Sequence, residues 1–246
     1  MAETSIPNDN SLHTWQTDDR QIMLSDALVV VAVYIAIDAV WRLTLGGPNT
    51  STLNPVLFDV LHILRLLVIP LGWLAIRGRL DLRELGWFHG PIARNILYGA
   101  VWSAVGGAIV FAFQFYFGPR LYVSAQPALP PGAADRLRDP FFFTWTLATM
   151  VIAAPLAEEI FFRATLFRGL RSRLTVLPAL LAQATLFGVY HNYALPGQVL
   201  TGILGVIMAY VYHRTGSIWS CIGCHVVLNG VGFGMMVVGV FLAPPS

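Results

Sequence analysis

Two adjacent glutamates and an arginine, Glu158, Glu159 and Arg163, stand inside an apolar stretch of the chain. His191 closes a second apolar stretch, and His225 and Asn229 lie within a third. Ionisable groups in such surroundings are costly to keep and are functional candidates by default. Taken singly, each could be an ion pair or polar contact that pins a helix bundle together. Taken as a set they offer chemistry. A carboxylate and an imidazole can withdraw a proton from water, and an imidazole four residues from a carboxamide can offer two donors to a developing oxyanion.

Helix geometry sorts these groups. At about 100° per residue, Glu159 and Arg163 share a face, whereas Glu158 and Arg163 diverge by about 140°. Glu159 is therefore expected to pair with Arg163, leaving Glu158 without a partner on its own helix. A carboxylate taken out of water holds a proton more readily, which suits a general base near neutral pH. Phe187 and His191 repeat the four-residue spacing, as do His225 and Asn229. Counted at 1.5 Å per residue, Glu158 lies roughly 18 Å from the end of its run at Leu170. His191 lies about 20 Å along its run, and His225 and Asn229 about 12–18 Å along theirs. All four can meet at one level.

The elements that must position them are membrane helices. Of 246 residues, 56% are hydrophobic and 11% charged, and the mean hydropathy is +0.66. A soluble domain carries about 25% charged residues. Apolar runs of helical length occur at about 26–45, 57–76, 94–118, 140–162, 176–191, 198–213 and 217–242. Since about 20 residues cross the hydrocarbon, the expected fold is an all-α polytopic bundle of about seven transmembrane helices, or eight with a further crossing. An interfacial or re-entrant helix is also conceivable around 80–89. Breaks fall at Gly46, Gly47, Pro48 and Asn49, between Gln126 and Asp139 with its three prolines, and at Leu195, Pro196 and Gly197. The expected organisation is a polar tail over 1–23, accessory helices over 24–139 and a catalytic core over 140–246.

All 15 basic residues are arginine, which reads as a codon bias and a bacterial source. No arginine cluster is dense enough for a nucleic-acid footprint. With seven spans, Arg20, Arg77, Arg79, Arg83, Arg94, Arg168, Arg171, Arg173 and Arg214 fall on one side, against Arg42, Arg120, Arg136 and Arg138 on the other. That asymmetry puts the amino terminus in the cytoplasm, in the inner membrane of a bacterium. The polar start lacks the basic and apolar regions of a signal peptide. No internal repeat favours a transporter, although a non-catalytic membrane subunit or transporter with buried charges is the alternative from another class.

The motifs Glu158-Glu159-x-x-x-Arg163, Phe187-x-x-x-His191 and His225-x-x-x-Asn229, in that order and on separate helices, resemble those of the CPBP family. These are the CAAX-processing and bacteriocin-processing intramembrane endopeptidases, also called the Abi family. The likeness covers about 140–240 and includes Phe161-Phe162-Arg163 and Thr215-Gly216-Ser217-Ile218-Trp219; Leu82-Arg83-Glu84-Leu85-Gly86-Trp87 is similar to a segment common in the family. The resemblance implies that Glu158 and His191 activate water, that His225 and Asn229 steady the oxyanion, and that Glu159, Arg163 and Phe187 support the site. It implies membrane lipid and a peptide or protein with a membrane-associated tail as partners. No cofactor is expected. Zinc on Glu158, His191 and His225 is the alternative, as a His₂Glu set, although no His-Glu-x-x-His is present.

Three further features are read as structural. Cys221-x-x-Cys224-His225 matches a haem-attachment string, yet it lies inside an apolar run, so the cysteines are expected to pack as small apolar residues. Gly230-x-x-x-Gly234 suggests close helix packing. Asp38, Asp59, His62 and Arg65 are expected to pair within the first half, with a lesser reading in which they line the way in for substrate.

Overall fold

The computed structural model describes residues 22–46, 53–125, 133–191 and 193–242. Residues 1–21 of the tail expected over 1–23 and the breakers at 47–49 and 127–132 lie outside them. Helices α1 (Leu24–Leu45), α2 (Pro55–Ile76) and α3 (Ile92–Ala125) are followed by a short α4 (Ala133–Arg138). Then come α5 (Pro140–Arg171), α6 (Val176–Tyr190), α7 (Leu195–Thr215) and α8 (Ile218–Leu242). No strand occurs among the described residues. A chain in hydrocarbon must satisfy its backbone internally, so this all-helical answer follows from the apolar composition.

Among the described residues, six helices are long and apolar enough to cross a membrane: α1, α2, α3, α5, α7 and α8. The run at 176–191 becomes a 15-residue helix, α6, about 22 Å long and short of a hydrocarbon core of about 30 Å. The 82–88 segment forms turns rather than the helix conceived for it, and it does not cross. It is a clasp. Gly86 O accepts from Ile218 N at 3.2 Å, Trp219 Nε1 donates to Trp87 O at 3.0 Å, and Arg168 pairs with Glu84. These contacts tie the end of α5 to the start of α8.

Local signals set the boundaries. Asp139 caps α5 by accepting from Phe141 N and Phe142 N, with Pro140 at the first helical position, where its missing N–H costs nothing. Gly216, at φ +63, turns α7 into α8. Within α5 the backbone widens into π-helical turns at Ala148–Ala153 and Ile160–Phe167, on either side of the glutamate pair. Such turns gather at functional sites, and nothing in the apolar pattern announces them.

Close packing relies on glycines other than those expected. A Cβ on Gly230 would meet only Val151 Cγ1, at 3.8 Å, and one on Gly234 would meet nothing within 4 Å. The close approach is instead α3 on α8, where a Cβ on Gly223 would run into the backbone of Ile96. Both cysteines are free and buried, Cys221 with its Sγ 3.5 Å from Met208 O on α7, which fits their reading as small packing residues. The lipid-facing surface carries exposed Leu28, Val33, Ile35 and Leu43 on α1, with similar residues on the other spans.

Candidate active site

Glu159 and Arg163 are fully buried, and two such charges are tolerable only when paired and hydrogen-bonded. Arg163 Nη1 donates to Glu159 Oε1 at 2.9 Å, so the pairing expected from helical spacing is present. The guanidinium also lies 4.3 Å from the centre of the Phe187 ring, with Nη2 donating to Gly205 O at 3.4 Å. Gly205 makes this possible, since a Cβ there would sit 3.0 Å from Phe187 Cδ1. Glu159 has a second partner that spacing could not reveal. His225 Nδ1, on α8, lies 2.7 Å from the same Oε1. A carboxylate bound to arginine accepts, so Nδ1 carries the proton and Nε2 points away from Glu159.

His191 sits on the turn just past α6. Its Nδ1 is 2.8 Å from Phe187 O, and a carbonyl can only accept, so this ring too is protonated at Nδ1. Phe187 packs edge-on against both imidazoles, at 4.6 Å from His191 and 5.9 Å from His225. The two Nε2 atoms converge on one oxygen: Glu158 Oε2 is 3.7 Å from each. That oxygen is buried and makes no hydrogen bond within the protein. A separation of 3.7 Å is too long for a direct bond and suits a bridging water.

The seven candidates are therefore disposed as follows. Glu158, His191 and His225 meet, while Glu159, Arg163 and Phe187 form the layer that holds them. Asn229 stands one turn along α8, where its Nδ2 donates to Met150 O at 2.9 Å, inside the first π-helical turn. One of its two N–H groups is thus engaged, a contact that no sequence spacing foretold. As placed, no three His, Cys, Asp or Glu side chains form a metal-holding group among the described residues.

A cavity of about 430 Å³ reaches Glu158 and His191 from between α1, α2 and α6. Its lining also holds Asp38, Arg42, His62 and Arg65. These polar residues do pair, with Arg65 Nη1 donating to Asp38 Oδ1 at 3.1 Å and Arg42 Nε to Asp38 Oδ2 at 2.6 Å. Asp38, His62 and Arg65 thus pair within the first half as expected, and they also line the cavity together with Glu158. Asp59 lies elsewhere, accepting from Trp145 Nε1 at 2.9 Å. Ile35 and Val189, both exposed, also line the cavity.

Comparison with known proteins bears on the same half of the chain. Residues 140–231 match the family described as type II CAAX prenyl endopeptidase Rce1-like. YdiL of Bacillus subtilis (strain 168), provisionally named a membrane peptidase, is 33% identical over 78 residues. That match covers 32% of this chain and 32% of the relative, so the chain spans about a third of the length of the curated protein it matches. No solved structure matches the chain significantly. The chain is an integral membrane protein, and its segment 140–231, which carries every residue of the site from Glu158 to Asn229, is similar to the Rce1-like family.

Proposed function

We propose that this protein is an intramembrane endopeptidase that hydrolyses a peptide bond with water held between Glu158 and His191. The observation that carries this reading is the buried, unbonded Glu158 Oε2 facing Nε2 of both histidines at 3.7 Å. Glu158 Oε2 and His191 Nε2 are both acceptors, so a water between them gives a hydrogen to each. Its lone pairs are then left free for a carbonyl carbon. Attack passes one water proton to Glu158 and makes a tetrahedral oxyanion. Glu158 returns that proton to the departing amine nitrogen as the C–N bond breaks, leaving a carboxylic acid and an amine. In this reading the oxyanion takes hydrogen bonds from the second N–H of Asn229 and from His225 Nε2. His225 Nε2 donates when the ring carries both protons, and Glu159 on its far side supplies the countercharge.

A second reading has one observation in its favour. Both Nδ1 atoms are held, by Phe187 O and by Glu159 Oε1, as the outer nitrogens of metal-bound histidines are. Glu158, His191 and His225 would then hold zinc, which would polarise the scissile carbonyl or acidify a bound water. The two readings part at Asn229. If the site works without metal, Asn229→Ala removes an oxyanion donor and should lower turnover about 10²–10³-fold, with chelators inert. Zinc lost to a strong chelator, with activity lost alongside it and restored on adding zinc back, would select the second reading instead.

The substrate follows from the matched family's description and from the exposed apolar residues that line the cavity: a peptide or protein tail that lies in or at the membrane, prenylated or otherwise apolar. The division into accessory helices over 24–139 and a catalytic core over 140–246 belongs to this proposal, as does the bacterial inner membrane as its location. With the amino terminus cytoplasmic, a cysteine at exposed Phe88 should react with a membrane-impermeant maleimide only after the cytoplasmic face is opened. One at exposed Leu43 should react in intact cells. The reverse pattern would invert the orientation.

A further inference from the structure

One part of the cavity lining that holds Glu158 is a polar cluster, and hydrolysis makes no use of it. Arg42 and Arg65 share one carboxylate, Asp38. The neighbouring His62 accepts from Arg65 Nη2 on Nδ1 at 2.8 Å, because a guanidinium can only donate. The Nδ1 of His62 is therefore unprotonated, the ring is neutral, and its Nε2–H meets the Tyr190 hydroxyl at 2.6 Å. Two guanidiniums against one carboxylate leave this cluster with a positive charge in excess.

That charge is held in place and incompletely used. The Arg65 side chain is only 10% exposed and lies 4.6 Å from the centre of the Trp41 ring and 5.5 Å from that of Tyr34. Its Nε–H has no acceptor, nor has the buried Trp41 Nε1–H. Arg42 meets Asp38 through Nε alone, which leaves the planar fork of its terminal nitrogens for a ligand. Buried donors beside a surplus cation are satisfied by an anion, and a guanidinium fork fits a carboxylate in particular. The other carboxylate lining the cavity is Glu158. Charge is thus polarised along the cavity, drawing an anion to the arginine cluster and repelling it from the attacking end.

We propose that Arg42, Arg65 and Trp41 form a subsite that binds a carboxylate of the peptide substrate and thereby sets which bond lies against Glu158. This rests on the peptidase reading above. The carboxylate can be the free chain terminus or an acidic side chain, and three dye-labelled prenylated peptides separate the two: one ending in a free acid, one in an amide, and one in an amidated aspartate. Binding is measured by fluorescence anisotropy to the full chain carrying Glu158→Gln, so that nothing is turned over. The free acid should bind about 10- to 100-fold more tightly than the plain amide. Equal tightness of the aspartyl amide shows that the subsite takes either carboxylate, and weak binding of that peptide assigns it to the terminus. Adding Arg42→Gln, a change at a half-exposed position that leaves Arg65 paired, should erase most of the preference; Arg65→Gln should do the same, and Arg65→Lys should keep part of it. Equal binding of all three peptides, or a preference that survives Arg42→Gln together with Arg65→Gln, would overturn the subsite. Cleavage of the same peptides by the chain with Glu158 intact is scored separately. Cleavage without a carboxylate preference sinks the subsite alone, and a preference without cleavage sinks the peptidase reading alone.

Discussion

Glu158→Gln should yield a protein that folds, extracts in detergent and binds peptide, yet turns over at least about 10²–10⁴-fold more slowly, the range lost with a general base. The amide keeps the shape of the side chain but cannot take a proton from water. Folding should survive because Glu158 Oε2 has no hydrogen bond within the protein to lose, and because removing a buried charge relieves desolvation. The comparison is kcat for a quenched peptide in proteoliposomes, alongside the melting temperature of both proteins. Full activity in Glu158→Gln would take the base role away from this residue.

Glu159→Gln should fail in the opposite way. Arg163 and Glu159 are both fully buried, and the same Oε1 also receives His225. Neutralising Glu159 leaves the guanidinium without a countercharge, at a cost of about 3–5 kcal/mol. For a chain of this size that corresponds to a fall in melting temperature on the order of 10 °C. Activity should drop as well, since His225 loses the group that orients it. A Glu159→Gln protein as stable as the parent and catalytically dead would exchange the roles of the two glutamates.

Much of this was legible in the sequence because helices repeat. The six long spans follow from apolar runs, and the Glu159–Arg163 pair and the Phe187–His191 contact follow from a four-residue spacing that puts side chains on one face. What spacing cannot convey is how helices far apart in the chain face one another. His225 reaches Glu159 across 66 positions, and Asn229 reaches Met150 across 79. The π-helical turns around the glutamates change which groups face inward while leaving the hydropathy pattern intact. The Gly230 and Gly234 motif was legible as a pattern but not as a contact, because a small-residue stripe packs only where a partner helix lies over it, and α3 lies over Gly223 instead. Arg42 was not legible as a member of the Asp38 and Arg65 cluster, for the same reason: Asp38, Arg42 and Arg65 become one surface with Glu158 only when α1 and α2 stand beside α5.

The most direct test of hydrolysis at Glu158 is mass spectrometry of a membrane-associated peptide incubated with the purified chain in ¹⁸O-labelled water. The account predicts two fragments, with one heavy oxygen in the newly formed carboxyl group, and intact peptide from the Glu158→Gln protein. Fragments of equal yield from both proteins, or a peptide left whole by the chain with Glu158 intact under conditions where it binds, would contradict it.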